Sequence, residues 1–197
     1  ETDPLRVPPP SDANPYFGFT YTILVPMLAF LPVFISGSIA ADSLAEELER
    51  GTFELLRVAP VTVAEIIDGK AIAMVGIAPL QAGLWLAFLE YNGTTIAHPF
   101  LILLLVGALA GLLVVIGAAL AILLEVRREA QLLYSLGALL LFGVSLLLPE
   151  SPPNLVAKLA IGSPTPITYW SVLGLTGAAI VGYWAVRRYV QIDSLRS

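Results

Sequence analysis

The sequence predicts an all-α fold, a polytopic bundle of helices that cross a membrane. Apolar residues make up 57% of the 197 positions and charged residues only 13%, whereas soluble domains carry roughly 25% charged residues. Five stretches are predominantly apolar over about 20 residues, the length that crosses a hydrocarbon core of ~30 Å. So little polar surface could not cover a water-soluble globule, and we therefore expect a membrane protein.

The chain opens with residues 1–15, which are rich in proline and polar side chains and predict an extended lead-in outside the membrane. Five apolar segments follow, and their length identifies them as helices rather than strands. They are Tyr16–Ala41, Ala71–Leu89, Pro99–Leu124, Gln131–Leu148 and Thr168–Val186. Pro26 and Pro32 should kink the first segment, and the glycine pairs Gly107–Gly111 and Gly137–Gly143 predict close helix packing.

A segment rich in proline, serine and asparagine, residues 149–166, precedes the last span. Its middle, Asn154 to Ile161, is long enough for two helical turns, and Gly162 and Pro164 are expected to end them. The pattern predicts a short outer helix on or in the membrane interface.

The positions of the cations predict the orientation, because cytoplasmic loops carry an excess of Lys and Arg. Placing residues 42–70 in the cytoplasm puts eight of the ten cations inside and leaves only Arg6 and Lys158 outside. We therefore expect the N-terminus outside and the C-terminus in the cytoplasm.

The stretch from Leu44 to Pro60, LAEELERGTFELLRVAP, is highly charged although long apolar segments flank it. The spacing predicts an amphipathic helix, with Glu46 four residues before Arg50 and Pro60 at its end. Thr62 and Glu65 form a capping box that predicts a second helix from Val63. The acidic face of the first helix, from Leu44 to Pro60, favours a protein partner, since helices that only rest on headgroups prefer Lys and Arg.

Residues 46–70, EELERGTFELLRVAPVTVAEIIDGK, resemble the signature of ABC-2 type transporter permeases, the membrane subunits of one class of ABC transporter. The positions that match the pattern are Glu47, Glu49, Gly51, Thr52, Glu54, Leu55, Leu56, Pro60, Glu65, Ile66, Gly69 and Lys70. Members of this family usually have six spans, so the resemblance implies a first span that is missing from the five counted here.

The resemblance implies that residues 42–70 are the cytoplasmic elbow that docks on a nucleotide-binding subunit, within a transmembrane domain over 16–197. The expected docking residues are Glu47, Glu49, Arg50, Gly51, Thr52, Glu54, Leu55, Leu56, Pro60, Glu65 and Lys70. It also implies a permease subunit of an exporter in the plasma membrane, paired with a second permease subunit, with ATP and Mg²⁺ on the partner ATPase. The sequence identifies no substrate-binding residues.

Several chemistries find no support in the residues. A P-loop requires the spacing G-x-x-x-x-G-K-[ST], but Ala64 and Ala71 occupy two of its positions around Lys70. His98 is the only histidine and there is no cysteine, so we expect neither catalysis nor a metal site in this chain. The net charge of −5 argues against nucleic acid. An ATP-independent channel or scaffold whose elbow binds another cytosolic protein remains the alternative.

Overall fold

The computed structural model describes residues 16–50, 63–124, 126–145, 148 and 150–193. Within these ranges every regular element is helical, in agreement with the predicted fold class. Helix α1 comprises Tyr16–Phe19, a π-helical turn Thr20–Leu24 and Val25–Glu49; the others are α2 (Val63–Tyr91), α3 (Pro99–Leu124), α4 (Arg127–Ser145), α5 (Pro152–Ile161) and α6 (Pro166–Asp193).

Four of these helices have segments long and apolar enough to cross a membrane, namely Phe17–Glu49, Asp68–Tyr91, Pro99–Leu124 and Pro166–Tyr189. Helix α4, the fourth predicted span, is not among them. Its first turns carry Arg127, Arg128 and Glu129, and residues 146 and 147 of the predicted span lie outside the described part. The chain is therefore a multi-pass membrane protein with four candidate spans in the described residues.

Helix α1 is distorted directly before Pro26, the first of the two prolines expected to kink it, and is continuous through the second, Pro32. Proline has no N–H and its ring clashes with the carbonyl four residues earlier. Directly before Pro26 the helix widens into a π-turn, in which the N–H of Val25 bonds the carbonyl of Thr20. At the second proline, Pro32, the Ser36 hydroxyl donates to the Pro32 carbonyl at 3.0 Å. The disturbance expected at Pro26 thus takes the form of a wider turn.

Helix α1 also continues beyond the predicted end of its apolar segment. It does not stop at Ala41 but runs through the acidic residues to Glu49, and Arg50 forms its C-cap. The described part of the predicted elbow helix is therefore a continuation of the first span. Residues 51–62, including Thr62 of the predicted capping box, lie outside the described part. The described part of α2 begins at Val63, and the capping box stays a prediction.

Helix α3 lies at the centre of the bundle and packs most closely on α1. Their backbones approach at Gly117, where an added Cβ would lie 2.6 Å from the Gly37 carbonyl oxygen. Alanines 40, 41, 45, 118 and 121 are buried along the same pair of helices. Small side chains allow membrane helices to pack tightly where the hydrophobic effect adds little.

A short helix, α5, is present where the sequence predicted one before the last span, and it begins two residues earlier, at Pro152. Gly162 ends it in the left-handed conformation, with φ of 81°, which glycine adopts at little cost. Leu155 and Val156 are buried in the cluster that also contains Tyr21 and Ile102. Helix α5 therefore packs against α1 and α3.

Candidate partner-docking site

The last turns of α1 are acidic, with Asp42, Glu46, Glu47 and Glu49 within eight residues. The C-terminal end of a helix carries partial negative charge, so carboxylates there are unfavourable without compensating cations. Cations from α2 and α4 supply that compensation. The end of α1 is thus a junction between helices distant in sequence.

Lys70 of α2 forms an ion pair with Glu47 of α1. Its ammonium group also donates to the Ser43 hydroxyl at 2.9 Å. The Lys70 and Glu47 side chains are only 27% and 22% exposed, so solvent screens this pair less than a surface pair. Glu47 precedes residues 51–62 in the sequence and Lys70 follows them, so this ion pair joins the two ends of the elbow.

Arg127, the first residue of α4, binds Asp42 through two parallel hydrogen bonds. Its Nε donates to Oδ1 at 2.6 Å and its Nη2 to Oδ2 at 2.7 Å, the strong bidentate geometry of arginine and carboxylate. The side-chain hydrogen bond to Asp42 raises the pKa of Arg127 above its ordinary value. Its backbone N–H donates to Glu49 at 3.2 Å, so this carboxylate satisfies one of the free amides at a helix start.

A third connection joins α2 to α6. Asp68 accepts a hydrogen bond from the Tyr183 hydroxyl at 2.5 Å and forms an ion pair with Arg187 at 3.0 Å. With the other two ion pairs, four helices are linked by charged side chains at one end of the bundle.

The predicted docking residues divide into two groups. Glu47, Glu49, Arg50 and Lys70 lie together at this end of the bundle, and Glu65 lies exposed in the first turn of α2. The expected pair of Arg50 with Glu46 is confirmed at 2.8 Å. The other six, Gly51, Thr52, Glu54, Leu55, Leu56 and Pro60, lie outside the described residues. The docking role of all eleven residues stays a prediction.

Sequence reasoning missed Asp42, Asp68, Arg127 and Arg187 as parts of this site. A usable signal was present, because charged residues directly flanking apolar spans tend to pair with one another. Their sequence separations hid the pairing, since Asp42 and Arg127 are 85 residues apart. In the described ranges no three His, Cys, Asp or Glu residues form a group that could hold a metal.

Comparison with known proteins gives one match, to a family model. The model described as "ABC-2 family transporter protein" matches residues 1–176. The searches of curated proteins and of solved structures gave no match. The match covers α1 to α5 and the first part of α6, and it includes the Glu47–Lys70 and Asp42–Arg127 ion pairs but not Arg187.

Proposed function

Since this chain belongs to the ABC-2 family of transporter proteins, a family of membrane transport components, we propose that it is the permease subunit of an ABC exporter. In this proposal it forms a homo- or heterodimer with a second permease subunit. A separate nucleotide-binding subunit docks on residues 42–70 and supplies ATP and Mg²⁺.

The observation that supports this proposal most directly is the charged junction at the elbow. The Glu47–Lys70 ion pair joins α1 to α2 at the two ends of the elbow, and the Asp42–Arg127 pair joins α1 to α4. If the ATPase displaced the elbow, these ion pairs would therefore transmit the movement to α1, α2 and α4. Such a linkage suits the rigid-body movements by which bundles alternate between states.

We also propose the five-span topology, with α4 as the fourth span, the N-terminus outside and the C-terminus in the cytoplasm of the plasma membrane. The charged junction then lies inside, where an ATPase has access to it. The ion pair between Lys158 of α5 and Glu150, at 2.5 Å, then lies on the outer side of the membrane.

The proposal is tested by searching beside the gene of this chain for an open reading frame with a P-loop and by co-purifying its product with the chain. Glu54→Lys should remove a charge-assisted contact, typically ~1.5–3 kcal/mol, and weaken co-purification about tenfold or more. Gly51→Leu should block close approach of the partner. Glu90→Lys, at the opposite end of α2, is the matched charge control and should bind normally.

The same preparations separate this proposal from the alternative. A permease subunit should stimulate the ATPase when reconstituted with it, and the two elbow variants should lose this stimulation while remaining folded. If both variants keep full binding and full stimulation, the elbow is not the docking site. An ATP-independent channel or scaffold would bind no P-loop ATPase at all.

A further inference from the structure

An apolar groove lies between α2, α3 and α6, on a side of the bundle away from the α1–α4 contact. Its volume is about 570 Å³, within the ~300–1,000 Å³ typical of sites that hold one small ligand. Small residues make room for it, among them Gly76, Gly107, Gly111 and Ala179. At Gly76 an added Cβ would meet no atom within 4 Å, so the groove is open there.

The described lining offers no free hydrogen-bond donor to a ligand. Among the described residues that line it, Thr176 and Tyr183 are the only ones with polar side chains, and both hydroxyls already donate within the protein. Thr176 donates to the Val172 carbonyl at 2.8 Å and Tyr183 donates to Asp68. Whatever occupies the groove must therefore be apolar along this length.

One end of the groove is charged. Thr176, Ile180, Tyr183 and Arg187 repeat at helical spacing and so share one face of α6, and Arg187 lies one turn beyond the lining. Its Nη2 binds Asp68, whereas its Nε is buried without a hydrogen-bond partner. About a third of its side chain, 32%, remains exposed. Part of the Arg187 side chain is therefore accessible at the end of an apolar groove.

Aromatic side chains place this end at headgroup depth. Trp184 is 60% exposed, and the Arg187 guanidinium lies 5.9 Å from the centre of its ring. Exposed tryptophans concentrate at the level of lipid headgroups, and arginines near helix ends extend their charge to that level. At that depth the available anion is a lipid phosphate, which guanidinium groups bind well.

We propose that this groove holds one acyl chain of a phospholipid whose phosphate binds Arg187. A second copy of this chain fits less well. The Asp68–Tyr183–Arg187 bridge joins α2 to α6 at the charged end, so a helix of about 10 Å diameter that lay along the groove would have to pass over or displace it. An acyl chain that ends at a headgroup meets no such obstacle. This inference does not depend on the ATPase partner.

Native mass spectrometry of the delipidated full chain tests the site. Phosphatidylglycerol is titrated against a galactosyl diacylglycerol with the same acyl chains, which has no phosphate. The unmodified protein should retain one phosphatidylglycerol per chain at concentrations where the galactolipid dissociates. Gly76→Leu should fill the groove and weaken retention about tenfold, as should Ile180→Trp, which serves if the first variant does not fold.

Matched controls separate filling the groove from disturbing the helices. Gly174→Leu places the same side chain on α6 at a position that does not line the groove and has no atom within 4 Å, so retention should be unchanged. Arg187→Gln should reduce the preference for the phosphate lipid at least fivefold, whereas Arg188→Gln should leave most of it.

Three results would overturn the proposal. The first is equal retention of both lipids by the unmodified protein. The second is undiminished phosphatidylglycerol binding in Gly76→Leu and Ile180→Trp. The third is conversion of a dimer to a monomer by these variants without loss of lipid, which would make the groove an interface between copies.

Discussion

The contact between α1 and α3 at Gly117 sets a sharp limit on side-chain size. A Cβ at this position would lie 2.6 Å from the Gly37 carbonyl oxygen and 3.0 Å from the Ala41 nitrogen. Both obstacles are backbone atoms, which cannot rotate away as a side chain can. Gly117→Ala must therefore push the two helices apart by several tenths of an ångström.

Two opposing terms determine the size of this effect. Extra methyl groups in a packed core cost typically ~1–3 kcal/mol, and rigid backbone obstacles place Gly117→Ala in the upper part of that range. Alanine in a helix interior gains up to about 1 kcal/mol over glycine. We expect a net loss of about 1–2 kcal/mol in the free energy of unfolding.

Gly137→Ala is the matched control, because an added Cβ at Gly137 in α4 has no atom within 4 Å. This variant should raise the free energy of unfolding by up to about 1 kcal/mol through helix propensity alone. Thermal unfolding in one detergent at a fixed scan rate should show the midpoint falling for Gly117→Ala and rising or staying constant for Gly137→Ala. Equal shifts of the same sign for both variants would refute the close approach.

Three further predictions concern topology, ATP hydrolysis and the elbow ion pair. Cysteines introduced at Ser11 and Thr95 should react with an impermeant maleimide in intact cells and one at Ser194 should not; the reverse pattern would overturn the orientation. The purified chain alone should show no ATP turnover above that of a mock preparation, and hydrolysis that persists after removal of contaminating ATPases would contradict a permease role. Lys70→Met should lower stability by about 1–2 kcal/mol, because it leaves the mostly buried Glu47 carboxylate without its cation, and Glu47→Gln in the same chain should restore much of the loss in a thermal melt.

The sequence was sufficient to predict the helices, because the length and composition of a span are local properties. The third predicted segment coincides with α3 from Pro99 to Leu124, where proline suits a first helical turn. Gly162 likewise ends α5 as expected from its backbone freedom. The sequence placed the end of the first span at Ala41 and a separate helix from Leu44, whereas α1 runs through both without a break to Glu49.

Tertiary contacts account for what the sequence could not predict. Both glycine pairs predicted close packing, but only the first has neighbours: an added Cβ at Gly111 would lie 3.4 Å from the Ala179 Cβ, whereas Gly137 and Gly143 have no atom within 4 Å. The tight crossing instead involves Gly117 and Gly37, which are far apart in sequence. Spacing along one helix shows where a close approach is allowed, but only the partner helix determines where it occurs.

The ion pairs also indicate how the predicted docking residues divide their roles. Glu47 is engaged by Lys70, and Glu49 accepts a hydrogen bond from the start of α4. Carboxylates held in this way stabilise the junction, and a partner that competed for them would have to replace bonds that already exist. The proposed docking contacts are therefore expected mainly from residues 51–60, whereas Glu47 and Glu49 are expected to stabilise the contacts of α1 with α2 and α4. Substitutions at Glu47 should thus change stability first and partner binding second, and substitutions at Glu54 should do the opposite.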